Sequence, residues 1–415
     1  MKLLLLLLLS WSVLATIAVY FLQEDDPLLP EIGHFMELIP QGSESQAYLF
    51  LMGAKAGMGE DPIEYGRTVY HQYMANKEMP DETTMDDYQI KYPKDDMLFC
   101  RGWKDSCLKN IFEYSKSAQN IISEYSKYRP MFKQFTQFDD YITMTQPDIA
   151  EPFPNFQFVS IASRLILLES IQQFRSGNVD QAINELMGNL KDLKRFYEQQ
   201  DNLIGKMVAV VLMSEHLDFI TILSTKSGKN PPYIPPLNFD SRGLDRVFAR
   251  EFAMGFYLFT SLDKQPRFFS DDGNLPGWFV RLFYKPNMTI NADFPIYKQY
   301  SDDSKLGHQL FSTIDFKADM HQTEQSWVRN SAGIALNRVS HPDFYEYIGR
   351  VLDLEAKFLL YDQYRKSVET DVRLSKVLNP YYDGEFDRFQ DDPGKLCLDG
   401  PIEDKRNLRC LTYDL

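Results

Sequence analysis

The sequence predicts an all-α fold: a multi-helix bundle or helical-hairpin array with a small irregular or β-hairpin C-terminal tail, preceded by one N-terminal transmembrane helix. Three observations predict it. Leu3 to Leu22 contains no charge. Between residues 45 and 379, apolar residues recur at spacings of three and four, the period of an amphipathic helix. After Pro380 that period gives way to turn signals between short aromatic segments.

The first segment begins with a leucine run, Leu3–Leu9, and stays apolar from Trp11 to Leu22. Twenty helical residues at 1.5 Å each span roughly 30 Å, the thickness of bilayer hydrocarbon. Lys2 precedes the run and Glu24-Asp25-Asp26 follow it, which puts the N-terminus in the cytoplasm and the body outside. Trp11 and Tyr20 are candidate interfacial anchors. The alternative is a cleaved signal peptide with Thr16-x-Ala18 as its small-residue site. The apolar run continues past that site, which favours a retained anchor. Residues 1–23 are thus read as anchor or signal, and the acidic, proline-bearing residues 24–44 as a spacer.

Residues 45–229 form a first helical half. Ser45–Met58 reads as one buried helix. Asp61-Pro62-Ile63-Glu64 starts another, running to about Asn76, with an acid at the N-cap, proline in the first turn and glutamate three residues on. Residues 77–104 read as a long polar loop. Leu108, Ile111, Phe112, Ser115, Ala118, Ile122 and Tyr125 make one face of a helix from about Ser106 to Tyr128, ending before Arg129-Pro130. Pro147, Pro152 and Pro154 mark a boundary. Beyond it, Phe158, Ile161, Leu165 and Leu168 share one helical face, Gly177-Asn178 turns the chain, and Ala182, Leu186, Leu190 and Leu193 share the next. This pair, about 35 residues, resembles a tetratricopeptide-type helix pair; no second copy follows at a 34-residue period. Asn202 to Leu223 is apolar on nearly every face. Lys206 and Glu215 leave too short an uncharged run for a second span, so it reads as the central core helix.

Asn230-Pro231-Pro232-Tyr233-Ile234-Pro235-Pro236 reads as a stiff connector rather than an exposed polyproline ligand. A second half, 237–379, follows. Leu244, Val247, Phe248, Phe252, Phe256 and Phe259 mark a helix to about Asp263. Residues 264–300 look irregular and aromatic. Asn287-Met288-Thr289 is a glycosylation sequon, which counts only in a eukaryotic secretory route for which nothing else speaks, and a helix start near Thr289 or Asn291 explains the same residues. A shorter helix covers Asp319–Val339, and Ser340-His341-Pro342-Asp343 caps a longer one to about Val368. In the tail, 380–415, Tyr381–Phe386 and Asp391-Asp392-Pro393-Gly394 are turn signals of a small hairpin.

About 390 residues beyond the anchor suffice for a substantial core. Hydrophobic content of 44% and charged content of 25% are those of a globular protein. A net charge of −15 argues against nucleic acid, whose binding needs clustered Lys and Arg, and against broad contact with anionic lipid. Four cysteines in an exported chain suggest disulfides. Three pairings are possible, and proximity favours Cys100 with Cys107 and Cys397 with Cys410. Their spacings match no common zinc module and no histidine flanks them.

No H-E-x-x-H helix, G-x-S-x-G elbow, phosphate loop or dinucleotide fingerprint occurs, so no catalytic, cofactor or metal residue is predicted. Glu215-His216 could be base and orienter, but neighbouring helical residues do not share a face, so a satisfied core histidine is expected. Asp319-x-His321 with Glu324 lacks further ligands for a metal. The acidic turns Asp271-Asp272, Asp302-Asp303 and Asp391-Asp392 lack the calcium-loop pattern and read as solvated. The expectation is a membrane-anchored scaffold or interaction protein on the periplasmic side of a bacterial inner membrane, offering helical grooves to an envelope protein or peptide. The alternative is an envelope hydrolase with dispersed carboxylates, about 5–10 Å apart, that a sequence does not reveal.

Overall fold

The apolar stretch after Asn202 forms the helix around which the others pack. The Asn202 side chain accepts from the N–H groups of Ile204 and Gly205, and the helix runs Leu203–Ser227 before Gly228 ends it. It is long and apolar enough to cross a membrane, but 89% of its most apolar stretch is buried inside the protein, which makes it a core helix. A hairpin packs against it: Phe156–Arg175 and Val179–Gln199, turned at Gly177-Asn178. The computed structural model describes the chain apart from residues 1, 41, 43, 58, 76–87, 94–96, 114–117, 238–241, 263, 266–267, 270–274, 317–326, 341–342, 371–376 and 383–388. The described residues are mostly helical, with a small sheet near the C-terminus.

The first helix is Lys2–Gln23, and the buried Gln46–Met52 is capped by the Ser45 side chain, which accepts from Tyr48 N. This second helix stops at Gly53 rather than near Met58, because it crosses Pro62–Ala75 at backbone contact. A Cβ on Gly53 would lie 1.8 Å from the Pro62 carbonyl oxygen, and one on Gly66 1.9 Å from that of Leu49. Only glycine permits that approach.

Where one helix from 106 to 128 is expected, Asp105–Glu113 and Ala118–Glu124 are helical, with 114–117 outside the described residues, and the chain turns at 125–127 into a third stretch, Tyr128–Phe135. Arg129-Pro130, expected to end the helix, instead lies in the first turn of the third. The N–H groups there have no intrahelical partner, so proline removes nothing.

Leu244–Leu262 pairs with Pro286–Asp303, a helix within the stretch expected to be irregular. Its N-terminus is capped from a great sequence distance: the Asp25 carboxylate accepts from Asn287 N (2.8 Å) and Met288 N (3.1 Å). The sequon side chain, Asn287 Nδ2, donates to the Asp26 carbonyl at 2.8 Å. The stretch read as spacer is therefore stitched into the body, and Ile32 and Phe35 of its short helix Pro30–Met36 are buried, Phe35 against Phe252 and Phe294. Trp327–Ser340 is kinked at Asn330, whose side chain accepts from Lys285 N (2.8 Å) and donates to Thr289 Oγ1 (3.0 Å). The first part of the Asp319–Val339 helix, and His341-Pro342 of the next cap, lie outside the described residues. Tyr345–Thr370 packs along the central helix.

The connector 230–236 lies on the body: Lys194 Nζ donates to the Pro235 carbonyl, Tyr361 Oη to that of Pro232, and Ile234 is buried. The tail forms the antiparallel sheet β1 (Phe389–Asp392), β2 (Lys395–Leu398) and β3 (Cys410–Thr412). The turn expected at Asp391–Gly394 joins β1 to β2, while Asp383–Phe386 lies outside the described residues. β3 is fastened to the central helix where Thr412 N donates to Asp218 Oδ1 at 2.8 Å.

Candidate functional site

One face of the central helix is only partly covered, with Ile204 exposed and Val208 and Val211 half-buried. Leu203, Ile204, Met207, Val208, Val211, Leu212 and Glu215 follow helical spacing along it, and Ile204 is 45% exposed. This face is the floor of an open cleft of about 1180 Å³. Phe156, Gln157, Ser160 and Arg164 of the hairpin extend the floor. The extended segment Tyr88–Tyr92 forms one wall, with Ile90 N held by Asn155 Oδ1 at 2.8 Å.

The opposite wall is built by the cysteines. Cys100 and Cys107 are bonded, closing the loop that carries Arg101 and Trp103 into the cleft mouth. Cys397 and Cys410 are also bonded, facing each other across β2 and β3. The loop between these strands carries Arg406 to the same mouth, and Asn407 Nδ2 donates to the Trp103 carbonyl at 2.8 Å, joining the two disulfide-closed loops. Both cysteine pairs expected from proximity are thus present, and each supports a wall. Gly102 lets the first loop sit directly over Glu215: a Cβ there would be 2.3 Å from Glu215 Oε1.

At the deepest point, Arg164 donates to Glu215 Oε1 (2.6 Å) and to the carbonyls of Leu98 (2.7 Å) and Cys100 (3.2 Å). Burial pushes the Glu215 carboxyl above its usual range, while the Arg164 guanidinium pulls it back part of the way. Glu151, the other acid lining the cleft, bonds to Arg250 and to Thr145 Oγ1; burial raises it and Arg250 opposes the rise. His216 faces the core instead. Its Nδ1 lies 2.8 Å from the Leu212 carbonyl and its Nε2 2.7 Å from Asn189 Nδ2, which fits a neutral ring donating at the first and accepting at the second. Burial lowers it to about 4. Glu215 and His216 therefore serve different faces, as expected of helix neighbours.

Asp302 pairs with Lys298, and Asp303 accepts from Tyr345 Oη at 2.7 Å, so that turn is internally satisfied. Asp391 and Asp392 pair in β1 with Leu396 and Lys395. Asp271-Asp272 and the Asp319, His321, Glu324 set lie outside the described residues. Among the described residues no group of three His, Cys, Asp or Glu side chains could hold a metal ion. A smaller pocket of about 600 Å³ behind the sheet is crossed by the Lys395–Asp105 ion pair (2.9 Å).

Sequence reasoning missed Arg101, Trp103, Arg164, Arg350 and Arg406, which come from four separate segments. The one available signal was the Arg-Gly-Trp inside the first cysteine pair. No family model, curated protein or solved structure matches this chain.

Proposed function

We propose that this chain is a membrane-anchored helical interaction protein, held by its first helix at the periplasmic face of a bacterial inner membrane, that binds an envelope partner in the cleft. The observation that carries this reading is the state of Lys2–Gln23. The helix leaves large apolar side chains uncovered, with Trp11 72%, Tyr20 68% and Phe21 63% exposed. An apolar helix of this length with such side chains exposed suits hydrocarbon. Its end is tied to the body: Arg329 Nη2 donates to the Glu24 carbonyl (2.6 Å) and pairs with Asp26 (3.0 Å). The disulfide pairs suit an oxidising compartment on the far side of that membrane.

The cleft supports binding over hydrolysis. Both acids lining it, Glu151 and Glu215, are bonded to guanidinium groups, whereas a glycosidase-type pair needs one carboxyl protonated and one carboxylate free to attack or to activate water.

Fractionation tests the anchor. The full chain should stay with the membrane pellet through alkaline extraction, and removing residues 2–22 should release it. A periplasm-dependent reporter fused after Leu415 should be active. A soluble full-length chain, or a reporter active only in the cytoplasm, would rule the reading out.

A further inference from the structure

The chain carries a net charge of −15, yet cations gather at the cleft mouth. Arg101 and Arg406 both lie over the Trp103 ring, 5.7 and 5.1 Å from its centre, and Arg350 lies 4.6 Å from that of Tyr347. Neither Arg101 nor Arg406 forms a salt bridge among the described residues. Glu346, the nearby acid, is shared between Arg350 (3.0 Å) and Lys405 (2.6 Å). Arg101, Arg350 and Arg406 repel one another and Glu346 offsets this only in part, so an anion placed beside Arg101 and Arg406 lowers the remaining cost.

Beneath this mouth the floor is apolar where Ile204, Val208 and Val211 lie, and polar where Gln157, Ser160 and Arg164 interrupt it. Arg164 is 4% exposed, and its Nε has no hydrogen-bond partner among the described residues. A purely aliphatic ligand would leave these polar groups against hydrocarbon, which is costly. A peptide brings its own N–H and C=O groups. Trp, Tyr and Arg, which frame the mouth, are also the residue types that dominate binding energy between proteins. The surrounding negative charge disfavours a broadly acidic partner and admits a local one.

We propose that the cleft takes an extended peptide segment of a partner protein in which an acidic side chain is flanked by apolar residues. The acid sits against Arg101 and Arg406, and the apolar side chains lie on Ile204, Val208 and Val211. This rests on the cleft being the binding surface of the interaction protein described above.

The test is to pan a library of short random peptides on phage against the full chain in phosphatidylcholine nanodiscs. Enriched peptides should share an acid beside aliphatic or aromatic residues. The double variant Arg101→Gln, Arg406→Gln should weaken a selected peptide by about tenfold or more. Val208→Glu, at a half-buried position, should weaken it comparably, with melting temperatures showing that each variant folds. Basic or absent consensus, or binding indifferent to both variants, would overturn the proposal. So would cleft labelling by a photoreactive fatty acid in the absence of peptide enrichment, which would assign the cleft to lipid. Panning and fractionation are independent, so failure of the peptide leaves the anchor standing, and failure of the anchor leaves the peptide result readable.

Discussion

Lys206 shows how much one residue can set. Its side chain is fully buried, with Nζ donating to the Tyr197 carbonyl at 2.7 Å and lying 4.2 Å from the centre of that residue's ring. Burial, with Arg246 adding repulsion, pushes the ammonium from its ordinary 10.5 down to about 7. The folded chain therefore releases this proton earlier than the unfolded one. Between about pH 7 and 10.5 the unfolded state holds one proton more, so this group adds stability as pH rises, by up to about 1.4 kcal/mol per unit. Below pH 7 the cost of the buried charge is fully present. Replacing Lys206 with Met removes that dependence. In urea unfolding, the stability of the variant relative to the wild type should be most favourable near pH 6 and decline towards pH 10. An unchanged difference across that range would mean the amine is not buried as described.

At the scale of elements, the two cysteine pairs stabilise short excursions that have little core of their own. The loop 101–106 is polar except for Trp103, and its position over Glu215 depends on the Cys100–Cys107 bond, on Gly102 and on Asn407. Replacing Cys100 and Cys107 together with Ala should lower stability by roughly 2–3 kcal/mol. It should also free Arg101 and Trp103 from the wall, so that a peptide selected on the native chain binds more weakly. Unfolding midpoints and peptide titration measure the two effects. Unchanged values for both would show that the loop is held without the bond.

For the whole molecule, the halves 45–229 and 237–379 share one core. Lys357 donates to Asp218 at 2.7 Å and Ser214 at 2.8 Å, and Arg250 bonds to Glu151, all across the two stretches and all buried. Parting them would leave buried charges unpaired, at a cost of about 3–5 kcal/mol for each broken pair. The body should therefore unfold in one cooperative transition, with far-ultraviolet dichroism and tryptophan fluorescence coinciding. Two separated transitions would contradict this.

Sequence alone determined the features that depend on local period and proximity. The helical class, the hairpin at Gly177-Asn178, the central helix after Asn202 and the pairing of each cysteine with its near neighbour follow from spacing, capping and short loops. Tertiary structure decided whatever depends on a distant partner. The Pro286–Asp303 helix is capped by Asp25, and the stretch read as spacer is held by Asn287 and Asn291, contacts between segments far apart in the sequence. The cleft belongs to the same class: Arg101, Arg350 and Arg406 meet because β3 and Tyr345–Thr370 pack beside the central helix and Asn407 ties the loop after β2 to the first cysteine loop. Periodicity tells which face of a helix is apolar. Whether a neighbour covers that face is settled by packing, and along Ile204, Val208 and Val211 it does so only in part.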